Sequence, residues 1–254
     1  MKLLPCDENQ TLPSLGGSTL VIPAVSIGNV GQLAMDLIIE TSAAPRVGRF
    51  AYPSLLPCAG TGSFSHVPGA AYSMEIFSLP TNEAEPIFLV QQRGPVAPGL
   101  HQKFADDLVE WATKEAGVAK ILILGSLDGR FRRDDQLTGS GLRYWSETTD
   151  LETLCTTAEL RKLEEEYFED KALEARVMPP WPLVKACKEA GVPCAAVLAF
   201  ALEGDNQQDG VKVASAAMKV VPALGAGTGG AEGGKWKQPP SWKFAFGGAR
   251  PYGM

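Results

Sequence analysis

Two glycines lie between an apolar run and a helical pattern, an arrangement that proteins use to hold phosphate groups. Residues 19–22 predict a buried strand, residues 28–31 a turn, and Leu33 and Leu37 one helix face. Backbone N–H groups at such a helix start attract anions. The spacing of Gly28 and Gly31, however, lacks the third glycine of a dinucleotide site and the Lys-Ser/Thr of a P-loop. The pattern therefore favours a structural turn over a nucleotide site.

A second candidate for chemistry follows the most apolar stretch of the chain. Residues 120–126 predict a buried strand, and open α/β sheets bind ligands at the carboxyl ends of such strands. Arg130, Arg132 and Arg133 follow at once and could hold a phosphate or an acidic partner. Two aspartates come next, so local charge pairing in a solvated loop is the favoured interpretation.

The inventory of catalytic side chains is poor. His66 and His101 neighbour no recognisable nucleophile, and the sequence contains no H-E-x-x-H, G-x-S-x-G or metal-spaced Cys/His pattern. Ser126 lacks the elbow pattern of a nucleophile, and turn chemistry explains it better. Asp36, Glu203 and Asp205 are the best carboxylates for acid–base work, although surface and capping roles are commoner. We therefore expect no catalytic residues, no cofactor and no metal.

The composition is typical of a globular protein from a reducing compartment. Of the 254 residues, 45% are hydrophobic and 20% are charged, and a net charge of −6 argues against nucleic-acid binding. The five cysteines are odd in number and form no C-x-x-C pair, which disfavours disulfides and zinc. The N-terminus turns polar too soon for a signal peptide, and no apolar run approaches the roughly 18 residues of a membrane span. We expect a soluble cytoplasmic and nuclear protein that binds neither nucleic acid nor membrane.

The remaining elements predict one α/β domain over residues 1–254. A helix over residues 100–116 runs into the strand at 120–126, which is half of a crossover unit and implies parallel pairing. We therefore expect a central, mostly parallel sheet flanked by helices. Further strands are expected over residues 45–50, 72–79, 87–91 and 193–202, and further helices over residues 183–190 and 209–224.

Three segments stand apart from this pattern. Residues 147–178 predict a helical acidic insertion, in which ten carboxylates face four basic residues; a solvated face is favoured over a role against a basic partner. Residues 225–234 are at least half glycine, which predicts a flexible loop. Residues 235–254 carry four basic side chains and no acidic one, and their aromatic residues are Trp236, Trp242, Phe244, Phe246 and Tyr252.

Three stretches of the chain match one known family in order and approximate spacing. The longest reads PAVSIGNVGQLAMDLII, from Pro23 to Ile39, and is long enough to be specific. The second reads LEGDN from Leu202, and the third reads SWKFAFG from Ser241, preceded by KWKQP. Together they resemble the proteasome assembly chaperone 2 family over nearly the whole chain.

The resemblance implies a fold and a function that residue patterns alone do not reach. The implied fold is similar to that of nucleoside phosphorylases, without a retained catalytic activity. The implied function is a heterodimer with proteasome assembly chaperone 1 that binds proteasome α subunits. This heterodimer promotes assembly of the α ring of the 20S core particle and prevents premature pairing of α rings.

The resemblance also bears on the C-terminal end. Tails of such chaperones can end in a hydrophobic-Tyr-any motif, whose terminal carboxylate is captured between α subunits. Here Tyr252 is third from the end rather than second, which departs from that motif. The aromatic residues would otherwise serve internal packing or the heterodimer contact. The predicted partner-binding residues are Trp242, Phe244, Phe246, Pro251, Tyr252, Gly253 and Met254.

The alternative is an enzyme of the phosphorylase or nucleosidase type. It would use the strand-end loops at residues 28–31 and 125–133, with Arg130, Arg132 or Arg133 binding phosphate and Asp205 acting as a base. The poor catalytic inventory favours the chaperone.

Overall fold

Nine of the strands form one sheet in a computed structural model that describes residues 1–7, 10–81, 85–164, 167, 180–228 and 235–244. The strands are β1 (Lys2–Leu4), β2 (Thr19–Pro23), β3 (Arg46–Ala51), β4 (Ala59–Thr61), β5 (Ala70–Tyr72), β6 (Met74–Ser78), β7 (Ile87–Gln92), β8 (Lys120–Asp128), β9 (Leu142–Ser146), β10 (Arg161–Lys162) and β11 (Cys194–Ala201). The order in the sheet is β1-β3-β6-β7-β2-β8-β11-β9-β10, and β4 and β5 form a separate hairpin.

Helices cover both faces of this sheet. They are α1 (Val30–Ser42), α2 (His101–Glu110), α3 (Thr149–Thr157), α4 (Trp181–Ala190), α5 (Gln207–Val220) and α6 (Pro222–Gly227). The helices α1, α3 and α5 share one core with the sheet, and α2 and α4 share the other. The polypeptide is thus a single domain of three layers, with a helical layer on each side of the sheet.

The four central strands β7, β2, β8 and β11 are parallel. Ile121 and Ile123 of β8 point into the core under α2 and α4, whereas Leu122 and Leu124 point into the core under α1 and α5. Because both faces are covered, the central strands are continuous apolar runs rather than alternating ones. The outer pairs β1–β3, β3–β6, β6–β7 and β9–β11 are antiparallel.

The expected fold class is confirmed, and most predicted elements lie within a few residues of their expected places. The stretch 72–79 differs, because it divides into β5 and β6, which belong to different sheets. The strand β9 was not predicted from the sequence. Its second residue, Arg143, is charged yet only 1% exposed. A buried arginine interrupts the alternation of apolar and polar residues by which a strand is recognised from sequence.

The acidic insertion predicted over residues 147–178 is helical only in part. The helix α3 ends at Thr157, Glu159 adopts a left-handed φ of 61°, and the chain continues as the strand β10. Residues 165–166 and 168–179 lie outside the described part of the chain.

Two expectations for the C-terminal region are partly tested. Residues 225–227 of the predicted flexible loop belong to α6, and residues 229–234 lie outside the described part. Of the basic and aromatic segment 235–254, the structure describes residues 235–244. No described helix is long and apolar enough to cross a membrane.

Candidate functional site

The turn at Gly28 and Gly31 packs against the protein itself. Gly28 has a φ of +62°, and a Cβ on it would lie 2.3 Å from the amide nitrogen of Asn206. A Cβ on Gly31 would lie 2.2 Å from the carbonyl oxygen of Leu124 in β8. Glycine is therefore required here for close packing of α1 on the sheet and for a left-handed backbone. This geometry agrees with the structural turn favoured by the sequence.

Ser126 is tied into the same junction. Its hydroxyl lies 2.6 Å from the carbonyl oxygen of Ile27, and its backbone N–H donates to the hydroxyl of Ser26 at 3.0 Å. Ser26 in turn donates to the carbonyl oxygen of Ala24 at 3.1 Å. Both hydroxyls are buried and hold the loop after β2 to the end of β8. Neither is presented as a nucleophile.

The three arginines after β8 each have a local partner. Arg130 donates to both carboxylate oxygens of Asp128, and Arg133 pairs with Asp135 at 2.9 Å. Arg132 donates from Nε to the carbonyl oxygen of Gln136 at 2.7 Å. The hydrogen bonds from Arg130 hold the pKa of Asp128 below its usual range. Local charge pairing, the favoured interpretation of this loop, is confirmed.

The proposed base of the alternative enzyme makes a local backbone contact. Asp205 is exposed, and its carboxylate accepts a hydrogen bond at 3.1 Å from the backbone N–H of Gln207, at the start of α5. That is an Asx-turn contact one residue before Asn206, the N-cap of the helix. Among the described residues, no cluster of three or more His, Cys, Asp or Glu side chains could hold a metal ion.

A buried polar cluster lies beside the carboxyl-terminal half of β11, where Arg143 of β9 pairs with Leu198. Arg143 donates from Nε to Glu164 at 3.1 Å and from Nη1 to two backbone carbonyl oxygens at 3.0 Å. Its guanidinium lies 5.5 Å from the ring centroid of Phe200. The hydroxyl of Tyr167 donates toward Gln136 at 2.9 Å and lies 3.0 Å from the carbonyl oxygen of Phe131.

The described part of the C-terminal segment, residues 235–244, crosses the outer side of α1 and α5, and we call it the C-terminal strap. The indole of Trp236 donates to Ser215 at 3.2 Å, and the backbone N–H of Lys237 donates to Thr41 at 3.0 Å. The hydroxyl of Ser241 donates to the carbonyl oxygen of Ser63 at 3.2 Å. These contacts fix the strap along its length.

The strongest anchor of the strap is a buried carboxylate. The indole nitrogen of Trp242 donates to Asp36 Oδ2 at 2.9 Å, while Gln91 and Arg93 donate to Asp36 Oδ1 at 2.6 and 2.8 Å. Asp36 is 4% exposed and Trp242 is 7% exposed. A buried carboxylate with three donors is a structural junction, which accounts for Asp36 without acid–base chemistry.

Two of the predicted partner-binding residues, Trp242 and Phe244, lie in the described part of the chain. Trp242 is buried within its own chain, which agrees with the internal packing that the sequence left open, and its role at a partner surface stays a prediction. Phe244 lies at the end of the short 3₁₀ helix Pro240–Phe244. The other predicted residues, which lie outside the described part of the chain, are Phe246, Pro251, Tyr252, Gly253 and Met254.

Sequence reasoning missed Arg143 and the role of Asp36. The partner of Arg143 is 21 residues away in sequence, and the indole bound to Asp36 is 206 residues away. Neither pair forms a local motif. The one available signal was an isolated arginine between Leu142 and Tyr144, inside a stretch of strand-forming residues.

Comparison with known proteins gives the chain its relatives. The PAC2 family profile matches residues 20–226. A Danio rerio protein named proteasome assembly chaperone 2 is 32% identical over 265 residues, which cover 96% of this chain and 97% of the relative. The Homo sapiens protein of the same name is 28% identical, with 98% of each chain covered.

Two solved structures from an archaeon have the same fold. Pyrococcus furiosus PbaB, described as an archaeal proteasome activator, has a TM-score of 0.66 at 16% identity and covers 87% of this chain and 88% of its own. Pyrococcus furiosus PbaA, described as an archaeal homolog of proteasome-assembly chaperone, has a TM-score of 0.62 at 13% identity, with 84% and 85% covered. These identities establish likeness of fold alone. From the family match over most of its length and the full-length relatives, the chain belongs to the PAC2 family.

Proposed function

We propose that this protein is a non-catalytic chaperone of proteasome assembly. It forms a heterodimer with proteasome assembly chaperone 1 and binds proteasome α subunits. The pair promotes formation of the α ring of the 20S core particle and prevents premature dimerisation of α rings. It acts in the cytoplasm and the nucleus.

The observation that carries this proposal is similarity along nearly the entire chain to proteins named proteasome assembly chaperone 2. The geometry adds support, because the groups that an enzyme would use at the carboxyl ends of the strands are occupied by internal contacts. Ser126, Arg130 and Asp205 each serve a loop or a helix end.

The direct test is affinity purification of the tagged full-length chain from cells. We expect a second chaperone chain and α subunits to co-purify, without β subunits, in both cytoplasmic and nuclear fractions. Recovery of complete 20S particles only, or of no α subunits, would contradict the proposal.

A ligand-binding experiment separates the chaperone from the phosphorylase or nucleosidase alternative. A ligand at 100 times its dissociation constant stabilises the folded state by about 2.7 kcal/mol. We expect neither phosphate nor nucleosides at millimolar concentration to raise the melting temperature. A saturable rise would favour the enzyme.

We propose in addition that the C-terminal strap sets the point from which the chain end reaches the α subunits. Ten residues follow Phe244, whereas 26 follow Thr228, the last described residue before the strap. If tail residues contact an α subunit, releasing the strap would lengthen their tether from about 10 to about 26 residues. The effective concentration falls with roughly the 3/2 power of tether length, so the loss would be about fourfold.

Trp242→Ala tests this role, because it removes the indole that bonds to Asp36. Because Trp236 and Lys237 still hold the start of the strap, the tether lengthens to about 17 residues, and we expect α-subunit affinity to fall about twofold, while pairing with the second chaperone is unchanged. The matched control is the same substitution in a chain that ends at Phe244. There the substitution should have no effect, and an equal loss would assign Trp242 a purely structural role.

A further inference from the structure

A cavity of about 390 Å³ lies at the β1–β3 edge of the sheet. Its apolar lining comes from Leu4 of β1, Phe50 and Ala51 of β3, and Pro57 before the β4–β5 hairpin. Arg49 and Tyr72 supply polar groups. The volume lies in the range of small-ligand sites, which are mostly apolar with a few convergent polar groups.

Arg49 is the unusual group in this lining. Its guanidinium carbon lies 4.7 Å from the ring centroid of Tyr72. Its Nε is buried and has no hydrogen-bond partner among the residues that the structure describes. Buried polar groups in folded proteins are nearly always hydrogen-bonded, and charged ones are nearly always paired. Arg49 thus lines the cavity with a guanidinium whose Nε lacks an acceptor among the described residues.

The neighbouring arginine explains why Arg49 has no partner. Arg46 pairs with the carboxylate of Glu75 and also donates to the carbonyl oxygens of Ala70 and Pro68. Glu75 is 1% exposed and lies opposite Arg49 in the register of β3 and β6, and its carboxylate is already paired with Arg46. The Nε of Arg49 is thus left without an acceptor among the described residues.

We propose that this cavity binds the C-terminal residue of a partner polypeptide. Arg49 would take the terminal carboxylate, because a guanidinium fork matches a carboxylate with two parallel hydrogen bonds. The apolar lining would bury the last side chain. Carboxylate and apolar group belong to one residue only at a chain end, which favours a C-terminus over an internal Asp or Glu.

The adjacent strand suits an extended peptide. In the order of the sheet, β1 is a terminal strand, and Leu4 of β1 pairs directly with Arg49 of β3. No described strand pairs with the outer edge of β1. Peptides commonly add to such an edge through main-chain hydrogen bonds, with pockets for particular side chains. This site extends beyond the proposed assembly function and can be tested on the purified chain alone.

Cys58 provides a reporter within the site. It lines the cavity and is exposed, whereas Cys155, Cys187 and Cys194 are buried and Cys6 is partly buried. Alkylation by iodoacetamide can be followed at Cys58 by peptide mass mapping. The probe is acetyl-Gly-Gly-Leu with a free carboxylate, compared with the same peptide as its C-terminal amide.

We expect the free acid to slow alkylation of Cys58 saturably, by about tenfold at ten times its dissociation constant. The amide should give no protection. Arg49→Gln should abolish protection by the acid, and Arg49→Lys should weaken it, since a point charge replaces the fork. Unchanged melting temperatures would establish that both variants are folded.

The matched control is Lys103→Gln, which removes an exposed cation already paired with Asp107. It should leave protection unchanged. An amidated peptide with an internal glutamate tests the other source of a carboxylate. Equal protection by that peptide or by the leucine amide, protection that survives Arg49→Gln, or no protection at about 10 mM acid would overturn the proposal.

Discussion

Arg143 and Arg49 lie near opposite ends of the same sheet, in β9 and β3, and their surroundings differ in one respect. Arg143 is bonded to Glu164 and to two backbone carbonyl oxygens. Arg49 has only the ring of Tyr72 against its guanidinium, and its Nε is unsatisfied. Both arginines rest on aromatic rings, so the difference lies in the hydrogen-bond acceptors.

This difference separates a structural charge from a charge available to a ligand. In β9 the chain supplies acceptors to the guanidinium of Arg143, although Nε2 of the neighbouring Gln136 has no partner among the described residues. At the β1–β3 edge it has left one cation over a cavity of about 390 Å³. The comparison therefore places potential recognition at the edge of the sheet, away from the strand ends that open α/β proteins commonly use.

Of the substitutions that test this comparison, Arg143→Gln should lower the free energy of unfolding most. The substitution removes a buried cation and leaves the carboxylate of Glu164 and two carbonyl oxygens without their donor. Loss of one partner from a buried ion pair typically costs about 3–5 kcal/mol. Because Glu164 is 24% exposed, we expect a value near the lower end, about 3 kcal/mol. Urea unfolding measures it as a lower midpoint at an unchanged slope.

Arg49→Gln is the matched substitution at the other end of the sheet. It loses a cation–π contact of about 0.5–1 kcal/mol but also removes an unpaired, partly buried charge. We expect the free energy of unfolding to change by less than about 1 kcal/mol. If the two variants were equally destabilised, Arg49 would be a structural residue and the contrast would fail.

A pair of glycines gives a second, smaller contrast. A Cβ on Gly31, at the closed junction of α1 and β8, would meet the carbonyl oxygen of Leu124 at 2.2 Å. Backbone atoms cannot move aside as a flexible side chain can, so Gly31→Ala should destabilise the protein by about 2 kcal/mol. Thermal unfolding of the variant would detect this loss.

Gly60, in the β4–β5 hairpin beside the cavity, is the matched control. No heavy atom lies within 4 Å of a Cβ built on it. Gly60→Ala should therefore leave stability unchanged or raise it by up to about 1 kcal/mol, because alanine restricts the unfolded chain. A large loss of stability in Gly60→Ala would contradict the open space that the structure shows around Gly60.

The sequence was sufficient for the parts of the fold that depend on local pattern. β2 and β8 are continuous apolar runs because both faces of the sheet are covered, and Gly28 and Gly31 lack the residues of a phosphate site. Pairing of Arg130 and Arg133 was also accessible, since their partners lie two residues away.

The rest depended on contacts between distant residues. Trp242 lies among basic and aromatic residues, which is typical of a binding tail, yet its partner is Asp36 on the first helix. Whether Arg49 is paired depends on Arg46 having taken Glu75, and no sequence spacing reveals which arginine does so. Which group pairs with which is known only once the chain is folded, so the sequence alone could not assign the partner of Trp242 or the lack of one at Arg49.

The smallest expected effect is a pH dependence of the free energy of unfolding that comes from the Asp128–Arg130 pair at the end of β8. Hydrogen bonds from Arg130 lower the pKa of Asp128, so the folded state favours the ionised carboxylate. This stabilisation is fully present above the pKa of the unfolded chain, near 3.9, and is lost as the pH falls through the lower folded pKa. Because the Arg130 side chain is 71% exposed, its size should be at most about 1 kcal/mol.

Asp128→Asn should therefore be slightly less stable than the parent at pH 6, and the difference should shrink as the pH falls below the unfolded pKa and through the lower folded pKa of Asp128. Urea midpoints of both proteins across this range measure it. Arg130→Gln serves as the control, since it removes the same donor and should reduce the same acid-dependent term. A stability difference that stays constant with pH would mean that Asp128 acts through packing rather than charge. The ion pair with Arg130 would then contribute little to the stability of the fold.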